Sequence, residues 1–220
     1  MSRFMMMTAF VAWAYASPIN AQWNVARFEP ARDLVYTNFG LDPAVNSTVG
    51  YGRAMRAGGL LVMPYIEASV AWGSLDLRDF RARAGAQGAL FRWRDLRATA
   101  NLAFVTRGTS NSNFNAWGIG ADAGGTIGLY RKGWFAGGEF GYDKSILTRM
   151  THTKEYRDHH YADAKDGWYL DNGAIKRLGL VGGVSVGRTE LVLRAGIPRS
   201  QGGESLTAPA YVTFGLGIAY

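Results

Sequence analysis

The chain has no cysteine among its 220 residues. Disulfide staples, thiolate nucleophiles and thiolate metal sites are all excluded. After the first two dozen residues there is no apolar run of about 18, the length a spanning helix needs, so helical membrane spans are excluded as well. The many G-x-G patterns lie inside alternating stretches rather than between a strand and a helix, and therefore carry no nucleotide-phosphate meaning. Acid is scarcer than base, 17 against 24, giving a net charge of +7. The basic residues are scattered over turns and alternating segments instead of forming one patch, which argues against a nucleic-acid partner. Histidine is confined to His152, His159 and His160.

What the chain does have begins with Arg3 and an apolar stretch from Phe4 to Tyr15, then Ser17, Pro18 and small residues up to Ala21. This pattern predicts a secretory leader, 1–21, cleaved before Gln22, with Ala14-Tyr15-Ala16 as an alternative site. Residues 22–220 then form one domain. All 29 glycines follow the leader, and in strands glycine suits close approach or tight bends. Mean hydropathy is −0.09, a value that an alternating sheet gives even when one face of every strand is oily.

Alternating segments recur with short and long punctuation by turns. They predict strands at about 29–40, 44–57, 60–73, 78–92, 95–108, 117–131, 134–147, 174–186, 189–199 and 209–220, the first being blurred by Pro30 and nearby charges. Tight turns fall at Gly58-Gly59, Arg94-Asp95, Lys132-Gly133 and Gly187-Arg188; loops fall at 41–43, 74–77, 109–116, 148–173 and 200–208. One parity is oily, as in Leu178, Leu180, Val184 and Val186, or in Leu191, Leu193, Ala195 and Ile197. Trp72, Trp93, Trp117, Tyr130, Trp134 and Tyr220 stand near segment ends, where amphipathic rings favour a membrane interface. A soluble β-barrel or sandwich would alternate too, but with its oily face inside.

The final segment, Tyr211 to Tyr220, sets Phe214, Leu216, Ile218 and Tyr220 against Thr213, Gly215, Gly217 and Ala219 and ends on an aromatic. With the leader and the strand pattern, it makes the chain resemble small bacterial outer-membrane β-barrel proteins. The resemblance implies an all-β, transmembrane, up-and-down antiparallel barrel of ten strands, or eight as the alternative, located in the bacterial outer membrane. It implies outer-membrane lipid and lipopolysaccharide as surroundings, barrel-assembly machinery that reads the terminal strand, and tight turns toward the periplasm. It also leaves room for an envelope or surface protein as partner.

The parity opposite the oily one collects Glu67, Arg81, Arg83, Arg97, Asp122, Glu139, Arg177 and Arg194. Facing lipid, an arginine near the midplane costs on the order of 2–4 kcal/mol, so these residues are expected to line and plug a narrow interior as ion pairs. The alternative is a narrow pore whose excess arginine favours anions. The longest loop holds every histidine, with His152, Asp158, His159, His160, Tyr161, Asp163 and Trp168 as candidate binding residues. The histidine spacing fits no tight metal motif, and no cofactor is expected. Omptin-type proteases and lipid A deacylases share the compartment, but their Asp pair and His-x-Ser patterns have no counterpart here. The function expected is a structural, envelope-supporting or partner-binding barrel; a small-solute channel is the second reading and an outer-leaflet enzyme the third.

Overall fold

The computed structural model describes residues 23–42, 44–72, 78–170, 173–201 and 209–220. The leader at 1–21, the 74–77 loop, Asp171 and most of the 200–208 loop lie outside the described residues. The strands are β1 (Asp33–Leu41), β2 (Val45–Arg53), β3 (Met55–Ala57), β4 (Leu60–Ala71), β5 (Phe80–Trp93), β6 (Leu96–Ser110), β7 (Phe114–Tyr130), β8 (Trp134–His152), β9 (Gly167–Leu170), β10 (Ala174–Val186), β11 (Thr189–Ser200) and β12 (Tyr211–Ala219). Sequence neighbours pair antiparallel around the ring, β8 pairs β10, and β12 pairs β1 from Leu34↔Ala219 to Leu41↔Val212. The result is a closed antiparallel barrel of ten strands, with β3 and β9 as short additions on β4 and β8. Closure gives each of the ten wall strands a partner on both sides, so that among the described residues only the short β3 and β9 keep a free edge.

The turn chemistry sits where the punctuation put it. Gly58 and Gly59 both adopt left-handed backbone, with φ of 55° and 83°, as a two-residue hairpin of that hand requires. The opposite end differs from the expected loops. β8 runs on to His152, Phe114 of β7 pairs with it, and the 148–173 loop becomes strand, then α1 (Lys154–His159), then β9 back along β8. Two irregularities break strict alternation: Leu90 is an extra residue in β5 and Ile146 in β8. Such bulges bend a barrel wall, and they explain why Leu90 and Phe91 both face out.

The faces are sorted by polarity in the sense opposite to a soluble barrel. Exposed apolar side chains stand on each of the ten wall strands, among them Val49, Ile66, Leu102, Ile127, Phe140, Leu180, Leu193 and Phe214. Inside, the half toward the tight turns is an apolar core of Trp23, Val25, Leu34, Tyr36, Met63, Tyr130, Phe135, Val181 and Val192. Beyond it lies a layer of buried charge. Tyr130, expected at an interface, is instead 1% exposed and stacks on Phe135 within that core at 5.2 Å.

Candidate functional site

The charged layer is built by strand parity. Asp122 of β7 and Asp143 of β8 are cross-strand partners pointing inward, and Arg81 and Arg107 are cross-strand partners on β5 and β6. Like charges directly opposite each other destabilise a sheet; here each pair neutralises the other. Asp143 is bonded to Arg81 and, at 2.7 Å, to Arg107. Asp122 lies 3.4 Å from Arg81, 3.7 Å from Arg83 and 3.5 Å from Arg177. Glu67 pairs with its cross-strand neighbour Arg83 and accepts from the Tyr36 hydroxyl at 2.8 Å. Arg194 Nε donates to Glu139 at 2.8 Å, and the Tyr211 hydroxyl reaches the other Glu139 oxygen at 2.7 Å.

One member came without a periodic signal. Asp42, expected in the first outer connection, turns down into the barrel with 1% exposure and lies 3.7 Å from Arg177. Burial pushes its carboxyl up to about 6, against the opposing pull of the arginines. With Asp42 the layer holds five acids, Asp42, Glu67, Asp122, Glu139 and Asp143, and five arginines, Arg81, Arg83, Arg107, Arg177 and Arg194, each at most 8% exposed. This layer is therefore charge-balanced.

Arg97 shares the inward parity but not the cluster. It lies toward the tight turns, where its guanidinium donates to the Val25 carbonyl at 3.1 Å. That carbonyl belongs to a segment that sequence reasoning missed: residues 23–27 enter the barrel and close its tight-turn end. The Trp23 N–H donates to Gln87 at 3.2 Å and the Asn24 N–H to Glu190 at 2.7 Å, while the Asn24 side chain donates to the Arg131 carbonyl at 2.7 Å and caps a 3-10 turn, Val25–Arg27. The Trp23 ring lies against Gly217, where an added Cβ would sit 2.6 Å from it. The glycine face of the terminal strand was the available signal, since a stripe without side chains in a closed barrel needs something else to fill the space.

At the opposite end the histidine segment is structured by local contacts. Thr153 caps α1 by accepting from the Tyr156 N–H at 3.2 Å. Tyr156 lies between two rings, His152 at 5.2 Å and His160 at 5.5 Å. Asp166 accepts from the His152 N–H at 2.8 Å and from Arg157 at 2.6 Å, and these bonds hold its carboxyl below its ordinary range. Trp168 meets Trp117 edge-on at 6.2 Å. Asp158, His159, His160, Tyr161, Asp163 and Trp168 are exposed, and among the described residues no three His, Asp or Glu side chains converge on a metal position. On the terminal strand, Phe214, Ile218 and Tyr220 point outward with Leu216 half-buried beside them. Compared with known proteins, the chain matches no protein-family model and no curated protein sequence.

Proposed function

We propose that the chain is an integral outer-membrane β-barrel with a closed interior, which serves as a scaffold and presents the histidine-bearing segment to partners outside the cell. The observation that carries the membrane reading is the inverted polarity of a closed sheet: apolar side chains exposed on all ten wall strands, and five arginines with six acids buried inside. In water such an exterior is an aggregation surface; in a bilayer it is what a spanning barrel requires. The balanced ion-pair layer and the inserted 23–27 segment support a closed interior over an anion-leaning pore, which would need unneutralised cations lining an open path. The leader, the assembly machinery's reading of the terminal strand, and lipopolysaccharide around the loop end belong to this proposal. The exposed Tyr161 and Trp168 are the aromatic anchors it offers a surface partner.

The test is to express the full chain in a Gram-negative host, fractionate it, and record from the purified protein in planar bilayers. The expected result is a heat-modifiable band in the outer-membrane fraction and a silent bilayer. Recovery as a detergent-free soluble protein would remove the membrane reading, and stepwise conductance would replace the closed scaffold with a channel.

A further inference from the structure

The charge of the chain is unevenly placed. After Ala21 the sequence keeps 23 basic and 17 acidic residues, a net charge of +6. The buried layer contributes nothing, five arginines against five acids. At the tight-turn end four basic residues have an acid beside them: Arg27 with Glu190 at 3.5 Å, Arg32 with Glu29 at 3.6 Å, Arg53 with Asp33 at 3.6 Å and Arg131 with Asp95 at 2.8 Å. Arg97 is turned inward onto the Val25 carbonyl. Five more, Arg56, Arg92, Arg94, Lys132 and Arg188, are exposed with no acidic partner among the described residues. Those five and Arg97 equal the whole net charge; the eight basic and eight acidic residues left over belong, by their place in the chain, to the loop-end half.

These cations form a ring rather than a patch. Arg56 stands at β3, Arg92 and Arg94 at the β5–β6 turn, Lys132 at the β7–β8 turn and Arg188 at the β10–β11 turn, four stations spaced around the circumference. Each adjoins exposed apolar side chains: Met55 and Leu60, Trp93, Trp134, Val186. Two guanidiniums lie over the interfacial rings themselves, Arg94 at 5.5 Å from Trp93 and Arg131 at 5.6 Å from Trp134. A protein docking from one side would meet one or two stations, whereas a lipid leaflet meets all of them at once. Guanidinium and ammonium groups at headgroup depth pair with phosphodiesters that carry uncompensated negative charge. We infer that the tight-turn rim is a collar for anionic phospholipid headgroups, and that it draws such lipids into the annulus of that leaflet. The inference rests on the membrane-spanning reading above.

The test reconstitutes the barrel in phosphatidylcholine vesicles containing trace spin-labelled phosphatidylglycerol or spin-labelled phosphatidylcholine, and compares the motionally restricted fraction of each probe. Because basic residues near a surface each attract anionic lipid measurably, a preference of roughly two- to fivefold for the anionic probe is expected, falling in high salt. It should vanish in the variant R56Q/R92Q/R94Q/K132Q/R188Q while protease protection and heat-modifiable mobility stay unchanged. Equal restriction of the two probes, a preference insensitive to salt, or a preference that survives the five substitutions overturns the collar. Equal restriction together with vesicle-bound barrel capturing soluble polyglutamate would assign the ring to a polyanionic partner instead. Failure of the unsubstituted chain to enter either vesicle overturns the membrane-spanning reading, a result distinct from insertion without preference.

Discussion

Replacing Asp143 by Asn removes one unit of charge from the most crowded point of the buried layer. Asp143 is 2% exposed and bonded to both Arg81 and Arg107, which face each other directly across β5 and β6. The amide keeps an acceptor oxygen but turns an NH2 group, a donor, toward guanidiniums that have only donors to offer. Removing one partner from a buried pair typically costs about 3–5 kcal/mol, because the charge left behind stays desolvated. Asp122, already within 3.4 Å of Arg81 and 3.5 Å of Arg177, takes up part of the load, which places the expected loss nearer the lower figure.

The assay is urea unfolding of the micelle-folded barrel, followed by tryptophan fluorescence and by gel mobility. Adding Arg107→Gln to Asp143→Asn should recover part of the loss, since residues in one network couple by roughly 0.5–3 kcal/mol. Asp95→Asn serves as the contrast: its partner Arg131 is exposed, and the expected change is about 0–1 kcal/mol. A loss under about 1 kcal/mol for Asp143→Asn, or a double variant as weak as the two single losses added, would refute the account of the layer as a mutually neutralised cluster.

Other outcomes follow from single contacts. Asp42 has its carboxyl raised to about 6 by burial, so the folded barrel holds a proton that the unfolded chain releases near 4; stability should therefore fall as pH rises from about 4 to about 6, by up to about 3 kcal/mol, and Asp42→Asn should flatten that slope in pH-dependent melts. Trp23→Ala removes a fully buried ring from the tight-turn end and should cost about 3–5 kcal/mol in the same urea assay; an unchanged midpoint would show that the 23–27 segment is not seated there. Substituting His152, His159 and His160 together by Ala should leave the unfolding midpoint and gel mobility unchanged, because these rings stand outside the barrel interior; a large midpoint shift would mean that the segment braces the wall.

The parts of this fold that could be read in the sequence are those where period two meets two unlike environments. Along β10 and β11, Leu178, Leu180, Leu191 and Leu193 face out while Arg177 and Arg194 face in, and slipping either strand by one residue would put charge outside and leucine inside. The same parity, counted from Asp122 through Thr126, puts Tyr130 inside; its position near a strand end suggested an interface, and the packing with Phe135 overrides that. Asp42 lies in a connection, where alternation has already stopped, so only the shortage of acids among the inward residues hinted that one more was needed. The 148–173 segment reads as one long loop because its strand continuation mixes polar and apolar residues without alternation, Leu147↔Leu170, Thr148↔Tyr169, Arg149↔Trp168 and Met150↔Gly167, and the extra residue Ile146 shifts the parity just before it.

The two layers inside the barrel divide the work of closing it, and each explains a choice in the other. Around the 23–27 segment, glycine at 217 removes a side chain so that an indole can lie against the wall, next to Tyr36 at 5.0 Å, while glycine at 215 makes room for the Asn38 side chain. An apolar filling of this kind is satisfied by shape and makes few polar demands. Gln87 and Glu190 accept the Trp23 and Asn24 backbone N–H groups, Gln87 donates to the Trp23 carbonyl, and Asn24 Oδ1 accepts from the Ala26 N–H, so the polar groups the inserted segment brings with it are met. Higher up, among the described residues, only Asp42 turns in from a connection, and the space is filled by long arginines reaching across the bore to acids on neighbouring and more distant strands, as Arg81 of β5 does to Asp143 of β8. Buried ion pairs are weak contributors to net stability, yet breaking one is costly. A layer in which four arginines and four acids are linked, with the Arg194–Glu139 pair beside them, therefore favours a single arrangement of the wall, because any change of register separates several pairs at once.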